Sequence, residues 1–352
     1  MPADLDSRPA PNLSFCIPTY NRSSTVQALV KRLLECPDAD IEVIVLDNGS
    51  TDDTLARLSE ITDSRLFTHS NGHNRGVIFN VLNVMLKGQG RYSVLLLDKD
   101  SIDPKRVSSF KAFLLKEQVA CGYCEYQSKP DRKPDLFDAG VDAVQGVAYS
   151  CHHPTGYFFD SRLLRDIDVV NRFADYEYVG NFPYDLVKAE LGLKGRSAIY
   201  HDPLFQPEQL TAGAEKSFGT NAATEDAFFS PKGRLKMAIN FTDHIQTLPI
   251  PAAIKRELIL DRLAQGLFAA TFGYRALLGN AVICAHYHIT TRRVSTPELL
   301  HTGFGFYRMF LLAYSCGRGR KENIPLLHAR IAGSFTARLL IGLKRRFVRR
   351  FA

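Results

Sequence analysis

The sequence lacks a secretory start, a disulfide framework and any uninterrupted apolar run long enough to span a bilayer. Met1 to Asn12 is polar, contains Pro and carries acidic residues, so the basic and apolar halves of a signal peptide are missing and secretion is not expected. Seven cysteines, an odd number spread over 352 residues, do not form the paired pattern of a small oxidised scaffold, and reduced thiols in a cytoplasmic protein are expected. The longest apolar stretch, Leu263 to Ile283, is interrupted by Gln265, Arg275 and Asn280. An arginine at mid-bilayer is costly, so this stretch reads as a core helix. No Gly-x-Gly-x-x-Gly follows the first strand, which argues against a nicotinamide-dependent oxidoreductase, and inspection finds no internal repeat or low-complexity tract.

Lys and Arg number 44 against 37 Asp and Glu, a net charge of +7, and much of the excess lies in Lys344, Arg345, Arg346, Arg349 and Arg350. Basicity so local favours an anionic surface touched by one end over nucleic acid gripped throughout. Hydrophobic residues at 45% and charged ones at 23% are ordinary for a globular protein, and the length exceeds a usual single domain.

The first half alternates short β-branched runs with helical patterns. Leu13 to Ile17 precedes Val26 to Leu34, Ile41 to Leu46 precedes Asp52 to Ile61, Leu66 to Thr68 precedes Val77 to Leu86, and Tyr92 to Leu97 precedes Lys105 to Lys116. This rhythm predicts an α/β fold, a mainly parallel sheet flanked by helices. Tyr123 to Asp142 reads as a loop, periodicity returns at Phe158 to Ile167 and Asp185 to Leu193, and the chain after Ala252 reads as helical. The expected division is a disordered 1–12, an α/β domain over 13–205, a mainly helical region over 206–328 and a basic amphipathic helix over 329–352.

In such sheets ligands sit beyond the carboxyl ends of the strands. Three loops there are polar. After strand one come Pro18, Thr19, Tyr20, Asn21 and Arg22, where Pro18 is expected to end the strand. After strand two come Asp47, Asn48, Gly49, Ser50, Thr51 and Asp52, a tight turn into a capped helix. After strand four come Asp98, Lys99 and Asp100. Two carboxylates one residue apart beside a buried strand are expensive unless a cation sits there, and oxygen donors suit Mg²⁺ or Mn²⁺ carrying a diphosphate. Turn and capping chemistry alone explains any one of these loops; their occurrence on successive sheet ends points to a ligand site.

The three motifs together resemble family 2 glycosyltransferases of the GT-A fold, from about Leu13 to Asp103 and more loosely to about Pro203. The resemblance implies an inverting, metal-dependent transferase using a nucleotide-sugar donor, UDP-sugar above all. It places Pro18 to Arg22 and Asn74, Arg75 and Gly76, followed by Asn80, at the nucleotide. Asp47 matches the uracil-reading carboxylate, flanked by Asn48 and Gly49. Asp98, Lys99 and Asp100 match the metal and diphosphate motif, with His201 as a third ligand, and Thr155 and Gly156 fall where relatives shape the acceptor pocket. The general base corresponds to Asp185, where Tyr184 replaces the family's Glu; Glu177 and Asp175 are reserves. A cell-surface glycan or lipid-linked acceptor is implied. The helical appendage is left for acceptor, membrane or self-association, and a noncatalytic nucleotide-sugar-binding scaffold at the membrane is the alternative.

Cys121, Cys124, Cys151, His152 and His153 have some zinc-like spacing but are distributed too far apart for a preferred site, and Cys284, His286 and His288 alternate as on a strand. From Ile331, apolar residues Phe335, Leu339, Leu343, Phe347 and Phe351 recur every four positions with arginines elsewhere on the wheel. That pattern suits a helix lying peripherally on an anionic inner membrane face, and equally a packed helix with a basic solvated side. Deleting Lys344 to Ala352 is expected to reduce sedimentation with anionic liposomes, and salt to weaken binding by the intact chain. Equal sedimentation of both proteins would return the tail to a packed helix.

Overall fold

A computed structural model describes residues 10–125, 132–150, 153–173, 183–208, 227–316 and 333. Residues 1–9, most of 329–352, and Cys151, His152, Asp175 and Glu177 lie outside the described residues. The chain divides into two compact units near residue 209.

The first unit is built on strands β1 (Leu13–Thr19) and β2 (Ile41–Asp47), in which all fourteen positions are buried. Continuous burial without alternation is the mark of parallel strands covered on both faces. The polar residues inside them are paired: the Glu42 carboxylate accepts from Ser14 Oγ at 2.6 Å and from the Gln89 and Gly90 amides at 2.6 and 3.2 Å. Helix α1 (Ser23–Leu34) turns Val26, Leu29, Val30 and Leu33 inward at helical spacing. Helix α2 (Thr54–Ser59), β3 (Leu66–Ser70), α3 (Val77–Lys87) and β4 (Tyr92–Leu95) complete the parallel half.

Beyond β4 come a short β5 (Ser101–Ile102), α4 (Val107–Glu117), β6 (Cys121–Cys124), β7 (Asp135–Phe137), α5 (Val141–Val147), β8 (Tyr157–Asp160), α6 (Ser161–Arg165), α7 (Val169–Phe173), α8 (Pro183–Lys194), β9 (Ser197–Tyr200) and β10 (Phe205–Gln206). The main sheet has the order β3-β2-β1-β4-β8-β6-β9-β7, with β8 antiparallel to both neighbours and β7 antiparallel to β9. A second ribbon pairs β10 with β5, directly after the acidic loop. Phe110, Phe158, Tyr200 and Phe205 pack at ring distances of 5.0–6.4 Å beneath it.

Two boundaries differ from expectation. Pro18 does not end β1, which continues to Thr19; the β1–β4 register stops at Cys16 opposite Leu95, so the missing Pro18 amide falls where no β4 partner remains. The stretch expected to be a loop from Tyr123 to Asp142 includes the second half of β6, the three residues of β7 and the start of α5, elements too short to register as periodicity.

The second unit contains α9 (Pro231–Thr247), capped by Ser230 Oγ accepting from Gly233 N at 2.9 Å, then α10 (Ala252–Phe268), a π turn over Ala269–Gly273, α11 (Tyr274–Leu278), α12 (Ala281–His286) and α13 (Thr296–Cys316). The apolar stretch from Leu263 is therefore a broken helical run; Thr271 Oγ1 donates to the Leu267 carbonyl at 2.7 Å within the π turn. Among the described residues no helix is long and apolar enough to cross a membrane. Cys284 and His286 lie on α12 and not on a strand, so their alternation carries no shared face.

Gly122 in β6 is squeezed between β8 and β9, where a Cβ would overlap the Ala198 carbonyl and the Phe158 ring. Gly122→Ala is expected to destabilise the first unit by about 2 kcal/mol through overpacking, read as a lower urea midpoint. An unchanged midpoint would contradict this packing.

Candidate active site

The carboxyl ends of β1, β2 and β4 lie side by side, and the three loops that leave them are cross-linked. Asn80, buried on α3, donates through Nδ2 to the Leu46 carbonyl at 3.1 Å and the Thr19 carbonyl at 3.4 Å, fastening the ends of β2 and β1. Asn21 adopts φ +52°, a conformation Asn tolerates, and receives Thr51 N on Oδ1 at 2.8 Å while giving its own N–H to Ser50 Oγ at 2.8 Å. Tyr20 stands 37% exposed beside this junction.

Asp47 is fully buried. Its Oδ2 accepts from Gly49 N, Ser50 N and Ser70 Oγ at 3.0–3.1 Å, whereas Oδ1 accepts from Ser50 N at 3.2 Å. The carboxylate thus shapes the turn, and Gly49 at φ +76° is required there because a Cβ would overlap the His73 backbone. Asn48 Nδ2 donates to Asn74 Oδ1 at 2.9 Å and the Gly76 carbonyl at 3.3 Å; its Oδ1 accepts from Asn71 Nδ2 and Arg75 N at 3.0 and 3.1 Å. These contacts bring the Asn74-Arg75-Gly76 segment onto the second loop, with the Arg75 guanidinium 3.6 Å from the Phe79 ring centre.

The acids past β4 are buried and separately compensated. Asp98 accepts from Arg22 Nη1 at 2.8 Å and Thr19 Oγ1 at 2.9 Å, one on each oxygen. Burial pushes its pKa above the usual carboxylate value, while the charge of Arg22 opposes that rise. Asp100 accepts on Oδ1 from Glu208 N at 2.9 Å, and its Oδ2 meets His153 Nε2 at 2.5 Å and the Thr155 hydroxyl. Burial would raise this group too, but the hydrogen bond and charge of His153, with Thr155 and the Glu208 amide, hold it below the ordinary value. Lys99 is half-buried between the two.

Thr155 is 1% exposed and its hydroxyl also accepts from Leu97 N at 3.0 Å, so in this arrangement it braces Asp100. Gly156, at φ +88°, lies in the ladder, its N–H on the Leu95 carbonyl at 2.8 Å and its carbonyl on Cys124 N at 3.0 Å. His201 is not turned to the acids: its ring nitrogens face Glu125 at 2.7 Å and Asp135 at 2.8 Å. Asp185, in the first turn of α8, is fully buried with Oδ1 2.8 Å from Lys188 Nζ. Lys188 Nζ also donates to Ser150 Oγ at 2.9 Å and lies 4.2 Å from the Tyr157 ring centre. The contact of His153 with Asp100 had no sequence signal and is made by the tertiary structure, whereas Lys188 follows Asp185 by three residues on α8, a spacing that the expected helix already makes a pair.

Residues 14–162 match the family model for Glycosyl transferase family 2. An uncharacterized glycosyltransferase of Haemophilus influenzae is 30% identical over 226 residues, which cover 54% of this chain and 69% of that protein. The chain belongs to glycosyl transferase family 2. Another relative in the family, the Escherichia coli UDP-Glc:alpha-D-GlcNAc-diphosphoundecaprenol beta-1,3-glucosyltransferase WfaP, is 32% identical over 120 residues, 34% of this chain and 47% of that one. The chain spans about half or less of the length of the first curated relatives it matches. The fold is that of S. aureus TarS 1–349, solved with UDP-GlcNAc: TM-score 0.55, 15% identity, 88% of this chain and 93% of that chain. The expected α/β, GT-A-like sheet with a helical C-terminal region is therefore observed.

For a family 2 site the metal question turns on the donor set. Among the described residues no three His, Cys, Asp or Glu side chains form a closed cage. The acidic loop instead offers the hard carboxylate oxygens of Asp98 and Asp100, a donor chemistry that suits Mg²⁺ or Mn²⁺.

Arg22→Met leaves the buried Asp98 carboxylate without its cation and is expected to destabilise the protein by about 3 kcal/mol at neutral pH. Because the pKa of Asp98 is raised, the deficit shrinks as pH falls through that pKa and the group becomes neutral. Denaturant melts over pH check both; a deficit that grows on acidification would contradict the ion pair.

Proposed function

We propose that this family 2 protein is an inverting glycosyltransferase that moves a sugar from a UDP-sugar to a glycan or lipid-linked acceptor in cell-surface polysaccharide synthesis, with Mn²⁺ or Mg²⁺. The observation that carries the proposal is the convergence of the Asp98 and Asp100 carboxylates with the loops after β1 and β2 at one sheet edge. The printed names of relatives support the finer terms. WfaP is named for a UDP-glucose donor and a diphosphoundecaprenol-linked sugar, TarS was solved with UDP-GlcNAc, and Succinoglycan biosynthesis protein ExoO of Rhizobium meliloti is 24% identical over 205 residues.

In this mechanism Tyr20 and the rest of Pro18 to Arg22 line the nucleoside. Asp47 offers Oδ1, the oxygen with the single bond, to the imide N–H of uracil. Asn74, Arg75 and Gly76 close over the nucleotide from the second loop. Arg22 and Lys99 add positive charge beside the diphosphate, and Asp98 and Asp100 would hold the metal, which would supply charge neutralisation to the departing diphosphate. Asp185 takes the proton from the acceptor hydroxyl as that oxygen attacks the anomeric carbon from the opposite side. Lys188 keeps the Asp185 carboxylate anchored in the first turn of α8.

The peripheral membrane role belongs to the tail over 329–352, and self-association to the helical region. Both rest on the sequence pattern alone.

Nucleoside diphosphate release from a panel of UDP-sugars, with a lipid-diphosphate-linked sugar as acceptor, tests the proposal. Asp185→Asn is expected to retain donor affinity and to lower turnover by about two to four orders of magnitude, the usual worth of a general base. Near-normal turnover in this variant would remove Asp185 from the mechanism, and absence of any transfer by the unmodified chain would overturn the proposed activity.

A further inference from the structure

We propose that His153 is a direct ligand of the divalent metal, beside Asp100. The inference deepens the metal-dependent function proposed above and rests on it. The segment leading into β8 runs alongside the loop after β4, and this brings a residue 53 positions away to within 2.5 Å of the Asp100 carboxylate through its Nε2. The Asp100 side chain is fully buried and that of His153 is 22% exposed, so the imidazole lies between the acid and solvent.

The two acids of the loop differ in what faces them. Asp98 is held by a guanidinium and a hydroxyl, one on each oxygen. A guanidinium keeps its charge at any working pH and has no lone pair to offer a metal. Asp100 faces an imidazole, which in its neutral form is a metal ligand through the same nitrogen that now meets the carboxylate. A carboxylate and an imidazole in contact at a buried site can share a proton or share a metal ion. The Thr155 hydroxyl donates to the Asp100 oxygen that His153 meets and the Glu208 amide to the other, the kind of outer support that orients a ligand. The Leu97 amide in turn fixes Thr155.

His201, which the motif alone singles out for this role, is placed otherwise. Its side chain is 2% exposed and both ring nitrogens face carboxylates, Glu125 and Asp135, which ties the ends of β6 and β9 to β7. A carboxylate and an imidazole with room for phosphate oxygens and water would make an open site. The nitrogen donor tilts its preference from Mg²⁺, which favours oxygen alone, toward Mn²⁺.

The test is pulsed electron paramagnetic resonance of the full chain loaded with Mn²⁺ and UDP. The expected result is a nitrogen coupling from a directly bound imidazole, lost in His153→Gln and His153→Ala and retained in His201→Ala. Calorimetry should show Mn²⁺ affinity at least about tenfold weaker in both His153 variants. An unchanged thermal midpoint of metal-free His153→Gln would show that the loss is not a loss of fold. Bound Mn²⁺ without nitrogen coupling, or a coupling that survives His153→Gln or disappears in His201→Ala, would overturn the ligand assignment while leaving metal dependence standing. Failure of the unmodified chain to bind Mn²⁺ with UDP would overturn both.

Discussion

Two carboxylates buried one residue apart past the end of a strand set the terms for the rest of this site. Each must be compensated locally, because an unpaired buried charge costs several kcal/mol. Arg22 and Thr19 reach Asp98 from the loop after β1, which holds that loop against the end of β4. His153, Thr155 and the Glu208 amide reach Asp100 from the opposite direction, drawing in the segment before β8 and the chain after β10. The requirement for neutrality thus gathers segments that are far apart in sequence around one small volume. In the proposed reaction a divalent ion with a diphosphate would enter the same electrostatic balance as an additional partner.

The second loop system obeys a different constraint, the hydrogen-bonding demand of amides and carbonyls at strand ends. Asn48, Asn80, Asn74 and Asn71 meet it with side-chain amides, each able to donate and accept. Such a network is neutral, so it fixes backbone shape without adding charge beside a negatively charged nucleotide. Farther off, Asp185 and Lys188 form a fully buried pair on one turn of α8, with Ser150 and the Tyr157 ring completing the surroundings of the lysine. This pair ties α8 to β8 and sets the orientation of the carboxylate assigned as base.

How much could be read in advance depended on whether the physics was local. β1 and β2 were legible because doubly covered parallel strands are continuous apolar runs, and the Asp47-Asn48-Gly49 turn because its side-chain and positive-φ requirements leave a signature within a few residues. β7 was hidden by its length of three residues, and the continuation of β1 through Pro18 depends on where the neighbouring strand stops. The partners of the site acids were hidden for another reason. His153 meets Asp100 across 53 residues, and Asp135 meets His201 across 66. No periodicity or spacing encodes such contacts, so the motif pointed to the His that braces the sheet ends and passed over the one beside the acid.

The central claim is that the acids after β4 hold a metal and, through it, the diphosphate of a nucleotide donor. Calorimetric titration of UDP into the full chain, with Mn²⁺ and again with EDTA, for the unmodified protein and for Asp100→Ala, tests it most directly. The account predicts strong binding only for the unmodified chain with Mn²⁺. Equal UDP affinity under all four conditions would contradict it.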